Sequence, residues 1–287
     1  MMLGDWSISV TSGEQYNFAF IDEGAKREIR RTILKAIAIP GYQVPFGSRE
    51  MPIARGWGTG GLQITLAIIG QDDILKVIDQ GSDDSVNAVN IKKFIDRVTS
   101  VRTTTATSEA TIIQTRHRVP EERMTDQQVL VLQVPLPEAL RLVEPSEMET
   151  RRMHAEADYG LMWLYLYEDI ACSQEISIGF MYPLLVNRRY IMSPSPIPRW
   201  DVPKLHMADT LFLFGAGRER RIYAIPPHTR VEPLEFEDHH FRVEDFNGKA
   251  CARCGSTETY LDEITNENGQ KIYTCSDTSN CKRRCRL

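Results

Sequence analysis

The sequence lacks any hydrophobic run of membrane-spanning length, and its first residues have neither a basic flank nor an apolar core. Cysteine is scarce over most of the chain, since only Cys172 precedes residue 251. Acidic residues outnumber lysine and arginine, which leaves a formal net charge of −5. These absences argue against a membrane protein, a secreted disulfide-rich protein and a general nucleic-acid binder, and they predict a cytoplasmic protein.

Two common nucleotide-binding motifs are also missing. The segment 56–61 (GWGTGG) has the glycine spacing of a dinucleotide-binding loop, with Asp79 at a plausible distance, but the residues before it do not resemble a strand. No Gly-Lys-Ser/Thr follows, so a Walker loop is excluded. Two interpretations stay open: a loop that brings backbone amides to an anion, with Arg49 and Arg55 nearby, or a turn without a ligand.

The length and composition are those of a globular protein. With 287 residues and 42% hydrophobic content, the chain can bury a large core. Strand-like runs come in groups between a few helices, which predicts an α+β fold with a mixed or antiparallel sheet and a few long helices. We expect an N-terminal extension over residues 1–20, a main domain over 21–245 and a small cysteine-rich, metal-binding hairpin over 246–287.

Hydrophobic periodicity predicts the individual elements. Helices are expected over 22–38, where Pro40 and Gly41 end the pattern, and over 84–98. The longest helix should run from Ser146, which begins a Ser-Glu-Met-Glu capping box, to about Ile170. Strands are predicted over 62–69, 110–114, 129–134, 176–182, 210–214 and 221–225.

Five of the six cysteines lie near the end of the chain: Cys251, Cys254, Cys275, Cys281 and Cys285. Such crowding without a secretory signature indicates metal chemistry rather than disulfides. Four thiolates could close a tetrahedral zinc knuckle, or three could hold an iron–sulfur cluster while a fourth stays a reactive thiol. The spacing alone favours zinc.

Several segments together resemble the PhnJ family, the catalytic subunits of bacterial carbon–phosphorus lyase. The resemblance runs in order from about Tyr16 to Cys281. Besides the terminal cysteines, the segments that carry it are 39–47 (IPGYQVPFG), 56–61, 114–120 (QTRHRVP), 193–198 (SPSPIP) and 214–219 (FGAGRE).

The resemblance implies a radical S-adenosylmethionine enzyme. It would convert α-D-ribose 1-methylphosphonate 5-phosphate into methane and the ribose 1,2-cyclic phosphate 5-phosphate. By resemblance, Cys251, Cys254 and Cys275 ligate a [4Fe-4S] cluster, whose fourth iron binds S-adenosylmethionine. Gly41 would carry a glycyl radical, and Cys281 would become the thiyl radical that attacks phosphorus. It also implies other subunits of a core complex as partners.

Each of these roles has a simpler alternative. Without the family, Gly41 is a turn or capping glycine after a helix. Cys281 could be a fourth zinc ligand, and protein prepared in air is expected to hold zinc on the four thiolates. The sequence assigns no role to Cys285, and Cys172 is interpreted as a buried apolar residue. The competing function is a non-catalytic, zinc-binding subunit of a multiprotein complex.

A basic triplet at a predicted strand end supplies candidate substrate ligands. Arg116 and His117 suit a phosphate or metal-phosphate group, and Gln133 on the following strand is expected to join them. The alternative is a basic strand end exposed to solvent.

Overall fold

The structure is a computed structural model that describes residues 23–41, 44–45, 59–79, 82–116, 118–133, 144–156, 184–190, 201–216, 221–233 and 246–286, with isolated positions between 158 and 168. Its helices are α1 (Glu23–Ala38), α2 (Thr59–Ile68), α3 (Val86–Val98), α4 (Glu147–Glu156), α5 (Val202–Leu205) and α6 (Thr278–Arg284). Its strands are β1 (Val44–Pro45), β2 (Ile74–Asp79), β3 (Arg102–Thr103), β4 (Ile112–Arg116), β5 (Val129–Gln133), β6 (Leu184–Val186), β7 (Arg189–Tyr190), β8 (Leu211–Ala216), β9 (Arg221–Ile225), β10 (Val231–Pro233), β11 (Leu261–Thr265) and β12 (Lys271–Cys275).

A seven-stranded mixed sheet in the order β1-β9-β8-β5-β4-β2-β3 forms the centre of the fold. The strands from β8 to β3 pair in parallel, whereas β9 is antiparallel to both β8 and β1. Strands β6, β7 and β10 form a separate antiparallel sheet. The predicted mixed sheet and terminal hairpin are therefore confirmed, and parallel pairing predominates in the main sheet.

The two faces of the main sheet bury separate apolar clusters. One cluster joins the sheet to helices α1, α2 and α3 and includes Ile29, Leu62 and Phe94. The other joins the opposite face to α5, β6 and β10 and includes Phe214 and Tyr223, whose rings stack with centroids 4.5 Å apart. Because alternate residues of a strand point to opposite faces, neighbours along one strand contribute to both clusters.

The periodic helix predictions are confirmed. Helix α1 buries Ile29 and Ile33 on one face, and it ends at Ala38, just before Pro40 and Gly41. Helix α3 begins two residues later than predicted because the side chain of Ser85 caps it, accepting a 3.1 Å hydrogen bond from the backbone N–H of Ala88.

The predicted strand over 62–69 is wrong, because these residues form most of helix α2. Leu62, Ile64, Leu66 and Ile69 are all buried, so the segment is apolar on nearly every side. A short, uniformly apolar run has no periodicity that separates a buried strand from a buried helix. The strand of this region is β2, which the sequence did not predict.

The capping prediction at α4 is confirmed in part. The hydroxyl of Ser146 accepts a 3.3 Å hydrogen bond from the backbone N–H of Glu149, whereas the N–H of Ser146 donates to Glu144. Most of the predicted extension to Ile170, together with Cys172, the strand over 176–182 and the extension over 1–20, lies outside the described residues. No helix within the described part of the chain has the length and hydropathy needed to cross a membrane.

Candidate active site

Residues 246–286, called the cysteine module below, build a four-cysteine centre from three local structures. A tight turn carries Cys251 and Cys254, the end of β12 carries Cys275, and α6 carries Cys281. Strands β11 and β12 pair in antiparallel fashion. The predicted cysteine-rich hairpin is thus present, with a short helix as its third part.

The turn around Cys251 has the shape that a metal knuckle requires. The N–H of Cys251 donates to the carbonyl of Ser256 at 2.9 Å, and the N–H of Gly255 donates to the carbonyl of Cys251 at 2.8 Å. Gly255 has a φ of 71°, a left-handed conformation that side chains disfavour. This reversal turns both sulfurs of the Cys-x-x-Cys pair inward.

Helix α6 brings the fourth thiol to the centre. The carboxylate of Asp277 caps the helix by accepting a 2.9 Å hydrogen bond from the N–H of Asn280. The sequence interpretation missed this cap, although an Asp directly before a short helical segment is a recognisable start signal. Capping fixes the first turn, so Cys281 points at the other three cysteines.

The four sulfurs are spaced for a single metal ion. All four lie within 4.8 Å of one another, with Cys251 and Cys281 3.7 Å apart and Cys254 and Cys275 3.5 Å apart. A tetrahedron with zinc–sulfur bonds of about 2.3 Å has edges of about 3.8 Å. A cubane places iron atoms between the sulfurs, so its cysteine ligands must stand farther apart.

The thiols of the cluster differ in how readily they ionise. Burial raises the pKa of the Cys251 thiol, but hydrogen bonds from the backbone of Cys254, Arg253 and Cys275 outweigh burial and lower the pKa to about 6. Burial and the neighbouring thiols raise the pKa of Cys275 to about 12, and they raise that of Cys281 further. One thiolate can exist without a metal, whereas four adjacent thiolates need a bound cation to offset their repulsion.

Cys285 lies outside this group. Its side chain is exposed, and its thiol donates to the carbonyl of Arg253 at 3.3 Å. Among the described residues, the four cysteines of the centre are therefore Cys251, Cys254, Cys275 and Cys281.

A second group of polar residues lies at the carboxyl ends of the parallel strands. Asp79, Arg116, Gln133 and Gly215 occupy matching positions on β2, β4, β5 and β8. Arg116 donates two hydrogen bonds to Asp79, at 2.5 and 2.9 Å. The structure thus brings together the predicted Arg116 and Gln133 in adjacent positions, while His117 lies outside the described residues.

The end of the glycine-rich segment packs at the same edge. Helix α2 begins at Thr59, and a Cβ on Gly61 would lie 2.6 Å from the Cβ of Gln133. A Cβ on Gly215 would lie 2.6 Å from the carbonyl carbon of Gly60. Glycine is therefore required for close packing of α2 on β5 and β8. The start of this helix lies beside Gln133, at the strand ends where open α/β sheets bind ligands.

Gly41 lies beside β9, near the edge of the main sheet that is opposite to β2 and β3. It is buried, has a φ of 76°, and donates its N–H to the carbonyl of Ala224 on β9 at 3.4 Å. A Cβ at this position would lie 2.9 Å from the Cβ of Val186. Both the backbone conformation and the space around it demand glycine.

The cysteine module packs on the loops that follow β2, β3 and β4. The hydroxyls of Thr278 and Ser82 are 2.8 Å apart, and Arg118 lies 3.8 Å over the ring of Tyr260. Four strand spacings, roughly 19 Å, separate β9, where Gly41 packs, from β2. The structure therefore keeps Gly41 and Cys281 on opposite halves of the sheet.

The structure thus combines a mixed α/β domain with a group of four cysteines that could hold a metal ion. Residues 14–286 match the family described as "Phosphonate metabolism protein PhnJ", and the chain belongs to that family. It is 59% identical over 270 residues to a protein of Rhizobium meliloti (strain 1021) named "Alpha-D-ribose 1-methylphosphonate 5-phosphate C-P-lyase", covering 94% of this chain and 91% of the relative. It is 58% identical over 268 residues to the Escherichia coli (strain K12) protein named "Alpha-D-ribose 1-methylphosphonate 5-phosphate C-P lyase", covering 93% of this chain and 95% of the relative.

Proposed function

We propose that this chain is a carbon–phosphorus lyase that acts on α-D-ribose 1-methylphosphonate 5-phosphate in phosphonate catabolism. The observation that carries the proposal is the identity of 59% and 58% to two relatives with that name, over nearly the whole of each chain. Membership of a family of phosphonate metabolism agrees with it.

The chemistry of the bond calls for a radical route. A methyl anion is too poor a leaving group for acid–base catalysis near neutral pH, so homolysis is the plausible alternative. Cys251, Cys254 and Cys275 supply three thiolates, the donor set of a [4Fe-4S] cluster with one iron open to S-adenosylmethionine. When bound, such a cluster would supply an electron for reductive cleavage of S-adenosylmethionine. The role proposed for Gly41 is to give up an α-hydrogen and carry the radical.

Gly41 and Cys281 then carry the reaction in a closed cycle. The Gly41 radical takes the thiol hydrogen of Cys281. The sulfur radical bonds to phosphorus, and the carbon–phosphorus bond breaks to release a methyl radical. The methyl radical takes an α-hydrogen from Gly41, which forms methane and regenerates the glycyl radical. The ribose 2-hydroxyl finally displaces the sulfur from phosphorus, closing the cyclic phosphate and returning the proton to Cys281.

The carboxyl ends of β4 and β5 are the proposed substrate site. Arg116 offers a guanidinium fork for a phosphate or phosphonate, and Gln133 offers an amide beside the start of α2. His117, the next residue after β4, is proposed to join them. Asp79 holds the Arg116 side chain in place until an anion competes for it.

The spacing of the sulfurs supports a second candidate function. The compact centre fits one zinc ion bound by all four cysteines, including Cys281. In that state the thiol of Cys281 is unavailable, and the chain would act as a structural subunit. Under the lyase proposal, loading a cluster requires Cys281 to leave the group and the other three sulfurs to move apart.

Anaerobic reconstitution separates the two functions. The chain, purified with whatever subunits accompany it, would be loaded with iron and sulfide, and its metal and sulfide content measured. A reduced cluster signal, cleavage of S-adenosylmethionine and methane from the ribose phosphonate are expected. Permanent zinc with no methane release would refute the lyase proposal and favour the structural subunit. Co-purifying partners would identify the expected core complex.

A further inference from the structure

The cysteine module has an apolar core of its own. Its cluster of buried apolar residues contains Leu261 and three of the cysteines, with Phe246 and Tyr273 packed against them, and no described residue of the main domain belongs to it. Metal binding would hold these parts together from within. The module can therefore keep its internal structure without support from the main sheet.

The contacts that join the module to the main domain are polar. Lys282 pairs with Asp84, and Arg283 pairs with Glu122, so the two residues that follow Cys281 both bind acidic side chains of the main domain. On the other side of the module, Arg118 pairs with Asp262 at 3.1 Å. Ion pairs that are partly open to water hold weakly and weaken further with salt.

Glu122 would keep other partners if the module separated and Arg283 moved away. This carboxylate also accepts the N–H of Thr107 at 3.1 Å and lies 3.8 Å from the ammonium group of Lys76. Lys76 is buried and keeps its hydrogen bonds to Thr105 and Thr107 within the main domain. The main penalty that makes buried ion pairs hard to break is thus absent here.

Some polar atoms of the module and of the surface beneath it are buried without a hydrogen-bond partner. Asp83 Oδ2, Ser276 Oγ and Asn280 Nδ2 are buried and have no hydrogen-bond partner. Asp83 lies on the main-domain side, where its other oxygen contacts Ser279, and Asn280 directly precedes Cys281 on α6. Because Asp83 lies in the contact between the module and the main domain, water could reach its unpaired oxygen on separation, which favours the open position.

We propose that the cysteine module detaches from the main domain as one unit, and that Asp84 and Glu122 are positioning residues that hold Cys281 in the docked position. Resting on the proposed function, detachment is the step that carries Cys281 from the loops after β2 and β4 towards Gly41. Hydrogen transfer requires contact between these two residues, and the docked arrangement separates them by several strands.

Hydrogen exchange tests detachment without any assay of activity. In the zinc-loaded full chain, amides in residues 82–90, 118–125 and 278–284 would be followed by mass spectrometry. The double variant Asp84→Asn/Glu122→Gln should exchange about tenfold faster in these segments, as loss of two partly exposed ion pairs implies, and added salt should speed exchange in the unaltered chain.

Glu263→Gln is the matched control. Glu263 pairs with Lys271 on the neighbouring strand of the same module, so this variant weakens an ion pair without touching the docking contacts. Exchange in the three segments should stay at the unaltered rate. Equal rates in the double variant, the control and the unaltered chain would overturn the proposal.

A disulfide lock tests whether detachment is needed for the reaction. The hydroxyls of Ser82 and Thr278 lie 2.8 Å apart, so sulfurs in their places can reach the disulfide bond length of about 2.05 Å. Ser82→Cys/Thr278→Cys would be made with Cys285→Ser, which removes the exposed thiol. The locked form should release no methane, and both the reduced form and the single variants should release it.

The outcomes separate this proposal from the proposed function. Methane release by the locked form at the rate of the single variants, with the disulfide intact by mass spectrometry after the assay, would show that detachment is unnecessary. If the unaltered enzyme releases no methane, the proposed function fails, and the exchange experiment alone decides whether the module detaches.

Discussion

Arg116 at the end of β4 donates two hydrogen bonds, from Nε and Nη2, to the two carboxylate oxygens of Asp79 at the end of β2. Asp79 is buried and Arg116 is largely so, which makes the pair a strong and oriented one. The proposed substrate ligand is therefore already occupied by a carboxylate, and an anionic substrate must share it or displace Asp79.

Asp79→Asn should strengthen anion binding. The amide keeps the shape of the side chain but removes the competing negative charge, so the dissociation constant of ribose 5-phosphate should fall about tenfold, equivalent to ~1.4 kcal/mol. Isothermal titration calorimetry would measure it. Arg116→Gln made together with Asp79→Asn is the control and should abolish the gain. An unchanged constant in Asp79→Asn would remove Arg116 from the substrate site.

Gly41→Ala should destabilise the protein whatever the chemistry at Gly41. Positive φ costs an alanine about 1–2 kcal/mol, and the contact with Val186 adds to that cost. Urea unfolding would measure the loss. Gly41→Ala should remain destabilising in a Val186→Ala background, because alanine keeps the Cβ that would lie 2.9 Å away. A fully stable Gly41→Ala variant would contradict the strained backbone.

Loss of methane release in Gly41→Ala is consequently poor evidence for a glycyl radical. A cleaner measurement is electron paramagnetic resonance of active enzyme that was produced in cells supplied with glycine deuterated at the α-carbon. The α-hydrogen splitting of a glycyl radical should collapse on deuteration, because the remaining hydrogen at that carbon is replaced. An unchanged spectrum would place the radical on another residue.

Gly61→Ala should be among the most damaging single substitutions in the chain. Its Cβ would collide with the Cβ of Gln133 and lie 3.0 Å from the Cα, so α2 would have to move off β5. We expect a loss of about 3 kcal/mol or more in urea unfolding. Gly248→Ala, where no atom lies within 4 Å, should cost only the ~1–2 kcal/mol of a positive φ. Similar losses in both variants would contradict this packing.

Metal removal should loosen the cysteine module and spare the main sheet. Without a cation the four thiols cannot all ionise, so a strong chelator should speed hydrogen exchange in β11, β12 and α6 while β4 and β5 keep their protection. Cys254→Ser should lower the zinc content in the same way. Cys285→Ser should retain one zinc per chain, and loss of zinc in that variant would show that Cys285 is a ligand after all.

Local periodicity determined several elements correctly. Helices α1 and α3 have one buried and one exposed face, and β9 was predicted with the bounds that it has. Helix α2 was predicted as a strand because it is buried on nearly all sides, and periodicity then carries no information. Strand β2 was not predicted because its residues are buried almost continuously and do not alternate between buried and exposed.

The amino-acid pattern alone predicted a metal site in the last cysteines, because four thiols at this spacing have few other uses in a chain without a secretory signature. It also determined the family, through segments spread over most of the chain. Three features became visible in the folded chain alone: Asp79 faces Arg116, Cys285 stands apart from the other four cysteines, and Gly41 and Cys281 lie on opposite halves of the sheet. The physical reason is that strand order and the docking of the cysteine module depend on contacts between residues far apart in the chain, and local sequence patterns do not record them.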